Sequence, residues 1–280
     1  MTPLFSVIIP TFNRSHVLLR AVDSVLKQTY KNFELIVVDD GSTDETQTIL
    51  EGHIKEGQIK YLRQENKGVS SARNFGVRNS KGDWLAFLDS DDEWLKSKLE
   101  KQVELLQKRP ELRLIHGEEL WVRNGKRVNQ KKIHQKFGGF IYEKCLPLCL
   151  ISPSAVIIER KLYEEMGGFD EEFVVCEDYD LWLKITSLYE VGFVTEPIIY
   201  KYGGHEDQLS HKYFAMDLWR IKSMLRILSL KNLNDQQIEA TCAEVTRKAK
   251  ILLLGYEKHQ NHQGLDELNH LLKLYQFTLV

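Results

Sequence analysis

The stretch Gly82-Asp83-Trp84-Leu85-Ala86-Phe87-Leu88-Asp89-Ser90-Asp91-Asp92-Glu93-Trp94 decides how the rest of this 280-residue chain is read. Residues 84–88 are an apolar run, long enough to cross a sheet as a buried strand and too short for an isolated helix. The run empties into Asp89-Ser90-Asp91-Asp92. In an open α/β sheet, ligands bind just beyond the carboxyl ends of the strands, so this turn stands where a site belongs. Its carboxylates repel one another unless a cation shares them. A hard divalent ion, Mn2+ or Mg2+, takes oxygen ligands and commonly holds substrate phosphates as well. The competing reading is an acidic turn that caps a helix beginning near Trp94.

Working outward, residues 5–9 form a β-branched run that ends in the turn Pro10-Thr11-Phe12-Asn13-Arg14. A helix follows, with Val17, Leu18, Ala21, Val22, Val25 and Leu26 on one face. Residues 33–38 read as a second buried strand, closed by Asp39-Asp40-Gly41-Ser42-Thr43-Asp44. Ser42-Thr43-Asp44-Glu45 then predicts a capping box. Residues 59–62 are a third, short strand. Asn66-Lys67-Gly68 turns into a helix carrying Val69, Ala72 and Val77. This alternation predicts an α/β fold with a mostly parallel sheet and helices on its faces. Polar clusters at successive strand ends (10–14, 39–44 and 89–92) should converge on one edge, as a nucleotide site requires. Neither G-x-G-x-x-G nor a P-loop motif occurs.

Composition narrows the class. Hydrophobic residues make up 42% and charged residues 28%, as in ordinary globular proteins. A formal charge of −2 gives no global basic field for nucleic acid. Cys145, Cys149, Cys176 and Cys242 form no C-x-x-C pair, which suggests reduced thiols and a cytoplasmic chain. No basic region precedes the first apolar run, and no apolar stretch nears the ~20 residues of a membrane span. The expectation is a cytoplasmic protein, at most peripheral at the inner face of a membrane.

Four motifs in order resemble the family 2 glycosyltransferases of the GT-A fold: Ser6-Val-Ile-Ile-Pro10-Thr-Phe-Asn13-Arg, Leu35-Ile-Val-Val-Asp39-Asp40-Gly-Ser-Thr-Asp44, Asn66-Lys-Gly-Val-Ser-Ser-Ala-Arg73-Asn74, and Asp89-Ser-Asp91-Asp92. The resemblance is tight over about the first hundred residues and looser to about residue 212. It implies that Pro10, Thr11 and Asn13 surround the nucleoside and that Asp40 accepts from uracil N3–H. It further implies Arg73 near the ribose or diphosphate, Asp89 facing the ribose, and Asp91 as ligand to the metal on the diphosphate. These residue types suit the roles: a carboxylate only accepts, and an arginine fork matches phosphate oxygens.

The second half supplies acceptor-side candidates. A helix is expected over 98–107, and Asn124-Gly125 predicts a hairpin within 122–128. The basic, glycine-containing residues 129–139 read as a solvated connection, with a mobile loop near an anionic acceptor as the alternative. Residues 152–158 read as a strand and 161–166 as a helix. Gly167-Gly168-Phe169-Asp170 followed by Glu177-Asp178-Tyr179-Asp180-Leu181-Trp182 again resembles family 2, where the Asp of Glu-Asp is the usual candidate base. Helical spacing sets Asp178 against the apolar stripe of Leu181, Trp182 and Ile185, and leaves Asp180 solvated with Lys184. Asp178 is therefore the expected base, with Glu177 beside it as orienter or acceptor ligand and simple helix capping as the competing reading. After the last expected strand, 198–202, His205 is a candidate to complete a metal shell or donate to phosphate, with plain surface as the alternative.

Beyond Phe214 the apolar spacing becomes helical. The expected organisation is a GT-A catalytic domain over residues 1–212 and a helical region over residues 213–280. Within the catalytic domain, residues 1–110 would bind the nucleotide-sugar and residues 111–212 would face the acceptor. The reading is a metal-dependent, inverting hexosyltransferase. It moves sugar from a nucleotide-sugar donor, UDP-linked, to a saccharide or lipid-linked saccharide acceptor in surface-glycan synthesis. The family's processive synthases carry Gln-x-x-Arg-Trp and membrane helices, and neither is found here. The rivals are a non-catalytic nucleotide-sugar-binding protein and a nucleotidyltransferase, which ordinarily shows a glycine-rich basic loop near its start. Sugar, acceptor, linkage and oligomeric state have no readable code.

Overall fold

The structure, a computed structural model, describes residues 2–204 and 215–279. The four expected strands are β1 (Phe5–Thr11), β2 (Phe33–Asp39), β3 (Lys60–Arg63) and β4 (Trp84–Phe87). Neighbouring pairs β3–β2, β2–β1 and β1–β4 run parallel. Between them lie α1 (Ser15–Leu26), α2 (Thr46–Lys55) and α3 (Val69–Arg78). Strands β1, β2 and β4 are buried on both faces over most of their length, which is why they read as apolar runs, whereas β3 at the sheet edge stays partly exposed. Along β1, Val7 and Ile9 enter one core with Leu18 and Val22 of α1. Ile8, between them, enters the other core with Ala72 of α3.

The sheet continues without interruption into the second half. With β5 (Glu93–Trp94), β6 (Leu114–Arg123), β7 (Lys126–Val128), β8 (Ile157–Glu159) and β9 (Gly192–Gly203), the described residues make a nine-stranded sheet ordered β3-β2-β1-β4-β8-β6-β9-β5, with β7 on β6. Strand β8 is antiparallel to both β4 and β6, so β6 points the same way as β4, and β9 runs parallel to β6. The C-terminal ends of β1, β2, β4, β6 and β9 therefore open on one edge.

Three local expectations are corrected. Trp94 begins no helix: Glu93 and Trp94 pair with Tyr200 and Ile199, and α4 starts later, at Lys98–Lys108. Residues 152–158 are only partly strand, because residues 153–155 form a 3₁₀ turn that delivers Ser154 toward the acidic turn. Ser42 does not cap α2. Asp44 instead accepts from the backbone N–H of Thr46 and, across the chain, from that of Ser15 at the start of α1. Burial opposes its ionisation, but these bonds and the Thr46 hydroxyl hold its carboxyl at about 2.

Short helices α5 (Tyr142–Cys145) and α6 (Arg160–Glu165) precede α7 (Glu177–Thr186), which carries the expected acidic pair. The C-terminal stripes form α8 (Met216–Ser229), α9 (Asp235–Lys258) and α10 (His262–Leu274). Asn234 and Gln237 make a reciprocal capping box at the start of α9. Ile221, Val245 and Leu268 of these helices share one apolar cluster with Trp182 of α7 and Phe87 of β4. No helix among the described residues is long and apolar enough to cross a membrane. The four cysteines are unbridged.

Candidate active site

The site grows from the ends of β1, β2 and β4. Asn13, in the left-handed region at φ 53°, follows β1 and accepts through Oδ1 from the backbone N–H of Thr43, while its own N–H donates to the Ser42 hydroxyl. The carbonyl of Thr11 accepts from the Asp40 N–H. Pro10, Thr11 and Asn13 thus lock the first strand end against the second. Asp40 itself is buried. Its Oδ1 accepts from Gln64 Nε2 at 2.7 Å and from the Lys67 N–H at 2.9 Å, and its Oδ2 accepts from the Gly68 N–H at 2.8 Å. A carboxylate at the N-terminus of α3 is stabilised by the unpaired amides there. Oδ2 keeps a lone-pair direction for one further donor.

The acidic turn divides its labour. Asp92 is buried, accepting from the Ser154 hydroxyl at 2.6 Å and the Tyr202 N–H at 3.0 Å. Burial and the neighbouring Asp91 charge raise its pKa well above the usual carboxylate range. Asp89 and Asp91 retain 31% and 19% of their side-chain surface, which makes them the reachable carboxylates of the turn. Arg14 approaches Asp91 at 3.9 Å, and Arg20, stacked 3.7 Å over the Tyr202 ring, donates to the Asp91 carbonyl. Among the described residues no group of three His, Cys, Asp or Glu side chains forms a metal cage. One or two carboxylates completed by substrate phosphate oxygens is the usual Mg2+ arrangement, and the reachable carboxylate of Asp91 fits it, while Asp89 is paired with Arg73.

Arg73 joins the two halves of the site. It is 3% exposed, and its guanidinium lies 2.7 Å from Asp89 and 2.7 Å from Glu177. Its Nε is buried with no acceptor among the described residues. Glu177 follows Cys176, whose left-handed φ of 62° turns the chain into α7. Burial and the adjacent Asp178 charge push the Glu177 carboxyl up to about 7, against the pull of Arg73.

Helical spacing misjudged α7. Asp180 is not solvated: it is 1% exposed and held 2.7 Å from Lys184. The C-terminal helices cover the face that spacing assigned to water. Asp178 is the half-buried member of the trio, with Oδ2 accepting from the Cys149 thiol at 3.3 Å and Oδ1 from the Tyr179 N–H. The expected solvated connection is likewise corrected at Lys136. That ammonium is buried, 2.9 Å from Glu119 and 2.7 Å from the Leu150 carbonyl. Burial opposes ionisation of Glu119, yet Lys136 and Lys201 hold its carboxyl down at about 2.

Lys201 is the site residue that sequence reading missed. Its Nζ donates to the Ser152 hydroxyl at 2.7 Å. Burial opposes its charge, but the carboxylates of Glu119, Asp92, Asp89 and Asp178 raise its pKa. The signal was there in the sequence: a lysine alternates with Tyr200 and Tyr202 inside an expected strand, so it points to the other face. His205 lies outside the described residues.

The family model for glycosyl transferase family 2 matches residues 6–166, more than half of the chain. The chain belongs to glycosyl transferase family 2. A relative from Escherichia coli, described as the UDP-Glc:alpha-D-GlcNAc-diphosphoundecaprenol beta-1,3-glucosyltransferase WfgD, is 38% identical over 263 residues, 91% of this chain and 95% of that one. The putative teichuronic acid biosynthesis glycosyltransferase TuaG of Bacillus subtilis is 38% identical over 68% of this chain and 74% of its own. Other relatives are longer: the chain spans 63% of an uncharacterized glycosyltransferase of Rickettsia typhi and 36% of one from Rickettsia felis. The fold is that of S. aureus TarS 1-349 in complex with UDP-GlcNAc, at a TM-score of 0.78, 21% identity, and coverage of 97% of this family 2 chain and 80% of TarS. The mannosyltransferase PcManGT of Pyrobaculum calidifontis, in complex with GDP-Man and Mn2+, aligns at 0.63 with 16% identity over 99% and 82% of the two chains. These likenesses establish the GT-A architecture of the sheet and its flanking helices.

Proposed function

We propose that this family 2 chain transfers a hexose from a UDP-sugar to a hydroxyl of a lipid-linked saccharide, with inversion, in surface-glycan synthesis. The observation that carries the reading is the Arg73 bridge. One buried guanidinium ties Asp89, at the end of β4, to Glu177, at the start of α7, and this supports a role for Asp178, the residue after Glu177, on the acceptor side of the donor. The relatives support the substrate classes, since WfgD is described by a UDP-Glc donor and a diphosphoundecaprenol-linked acceptor.

In this reading Asp40 accepts from the base, and Pro10, Thr11 and Asn13 shape the nucleoside pocket. Asp91 would hold Mn2+ or Mg2+, which when bound supplies Lewis-acid neutralisation of the diphosphate, and Asp89 would face the ribose. Asp178 takes the acceptor hydroxyl proton as that oxygen bonds to the anomeric carbon. The bond to the diphosphate oxygen breaks with its electron pair, and UDP leaves. One displacement inverts the centre and needs no covalent sugar–enzyme intermediate. Arg73 and Lys201 offset the repulsion among the crowded carboxylates and hold them in place. Thermal-shift screening of a nucleotide-sugar panel, with and without Mn2+, followed by donor turnover on the best binder, tests the reading. Metal-dependent stabilisation by UDP-sugars and their turnover are expected; stabilisation without turnover would favour a non-catalytic binding protein.

A further inference from the structure

Between Glu119 and Glu143 the chain carries six lysines and arginines (Arg123, Lys126, Arg127, Lys131, Lys132 and Lys136) and no acidic residue, in a protein whose formal charge is −2. Lys136 is consumed by its buried bond to Glu119. The other five are exposed. They sit on and beside the hairpin of β6 and β7, where Asn124 and Gly125 at φ 49° and 72° make the two-residue turn. Because β6 points the same way as β1, β2 and β4, this hairpin leaves the sheet on the edge that carries the site. A 3₁₀ turn, Lys132–His134, folds back against it and sets the His134 ring 4.9 Å from Trp121. That turn holds Ile133 out in solvent, 59% exposed, directly after Lys131 and Lys132. The surroundings are cationic: besides burial, Lys136, Lys201, Lys131 and Arg123 depress the His134 imidazole pKa, with no carboxylate among these leading causes. The nearby carboxylates are engaged, Glu118 by Gln130 and Glu119 by Lys136 and Trp121.

We propose that this hairpin and turn form a docking surface for an anionic lipid bilayer, with the five exposed cations over the headgroups and Ile133 inserted at the interface. Clustered cations beside an exposed apolar side chain fit a negatively charged, apolar-cored surface, whereas a soluble anion has no use for Ile133. The position on the catalytic edge holds the acceptor side of the site toward the membrane, so that a lipid-linked saccharide reaches it without leaving the bilayer.

Vesicle cosedimentation of the full chain tests this surface without requiring any sugar transfer. Partition onto phosphatidylcholine vesicles containing ~30% phosphatidylglycerol, and not onto phosphatidylcholine alone, is expected, weakening as salt screens the charges. Since each basic residue near such a surface is worth roughly a fivefold gain in partition, the double variant Lys131→Glu, Lys132→Glu should lose at least about tenfold. Ile133→Ser should lose a smaller but measurable share. Both changes lie on exposed loop residues, and unchanged melting temperatures would show that the fold is kept. Absence of binding at low salt, binding that the double variant retains, or loss of binding in Leu254→Ser of α9 in place of the hairpin variants would overturn the proposal. So would equal binding to a nucleic-acid homopolymer with no effect of Ile133→Ser.

Discussion

The Arg73 guanidinium lies 2.7 Å from the Glu177 carboxylate, across more than a hundred residues of chain, in a setting that leaves the arginine 3% exposed. Asp89 takes its other terminal nitrogen. A buried cation between two carboxylates is costly to break from the middle. Arg73→Ala leaves both acids in the interior without their partner and should cost about 3–5 kcal/mol of stability. Arg73→Lys keeps the charge but not the fork, so it should fold better than the alanine variant and still lose most transfer. Urea denaturation of both variants, beside donor turnover, checks the pair.

The raised Glu177 pKa carries its own signature. A carboxyl at about 7 in the folded chain, against 4.5 when unperturbed, binds more proton folded than unfolded between those values. Its contribution to stability is therefore fully present below about pH 4.5 and is lost as pH rises through 7. The change is on the order of 3 kcal/mol at most. Glu177→Gln removes that titration, so the stability difference between wild type and variant should change across this window and flatten above it. A difference that stays constant from pH 4 to 8 would show that Glu177 titrates alike in the folded and unfolded chain.

Asp178→Asn separates chemistry from binding. The amide keeps the shape but accepts no proton at neutral pH, and loss of a general base costs about 10²–10⁴ in rate. The variant should bind UDP-sugar and Mn2+ like wild type, melt within a few degrees of it, and transfer almost nothing. Wild-type turnover would move the base to another group, Glu177 first.

Asp91→Asn should weaken metal-dependent UDP binding while leaving the fold intact, because Asp92 rather than Asp91 anchors the turn to Ser154 and Tyr202. Calorimetric titration of UDP with and without Mn2+ reads the difference. An undiminished metal dependence would sink the ligand assignment.

Asp40→Ala is expected to have two effects. It strips acceptors from Gln64 and the Lys67 and Gly68 amides, and should cost about 1–3 kcal/mol of stability. UDP affinity should fall by a similar amount, and CMP, which lacks the N3–H donor, should suffer less. Equal losses for both nucleotides would show that Asp40 only shapes the turn.

The sequence by itself determined the parallel half of the sheet. Runs such as 33–38 are apolar on both faces because helices cover both, and that pattern is local. It also determined which strand ends carry polar clusters, since turn chemistry is written in adjacent residues. What tertiary structure alone decided is who pairs with whom among the charges. Spacing along α7 put Asp180 in water, but α8 to α10 bury that face, and Lys184 neutralises it there. Spacing left Lys136 on a solvated loop, but the loop folds back over β6, and Glu119 draws the ammonium inside. Arg73, Asp89 and Glu177 are far apart in sequence and meet because α3, β4 and α7 converge on one edge. Charge pairing acts through space at a few ångströms, and no periodicity along the chain records it.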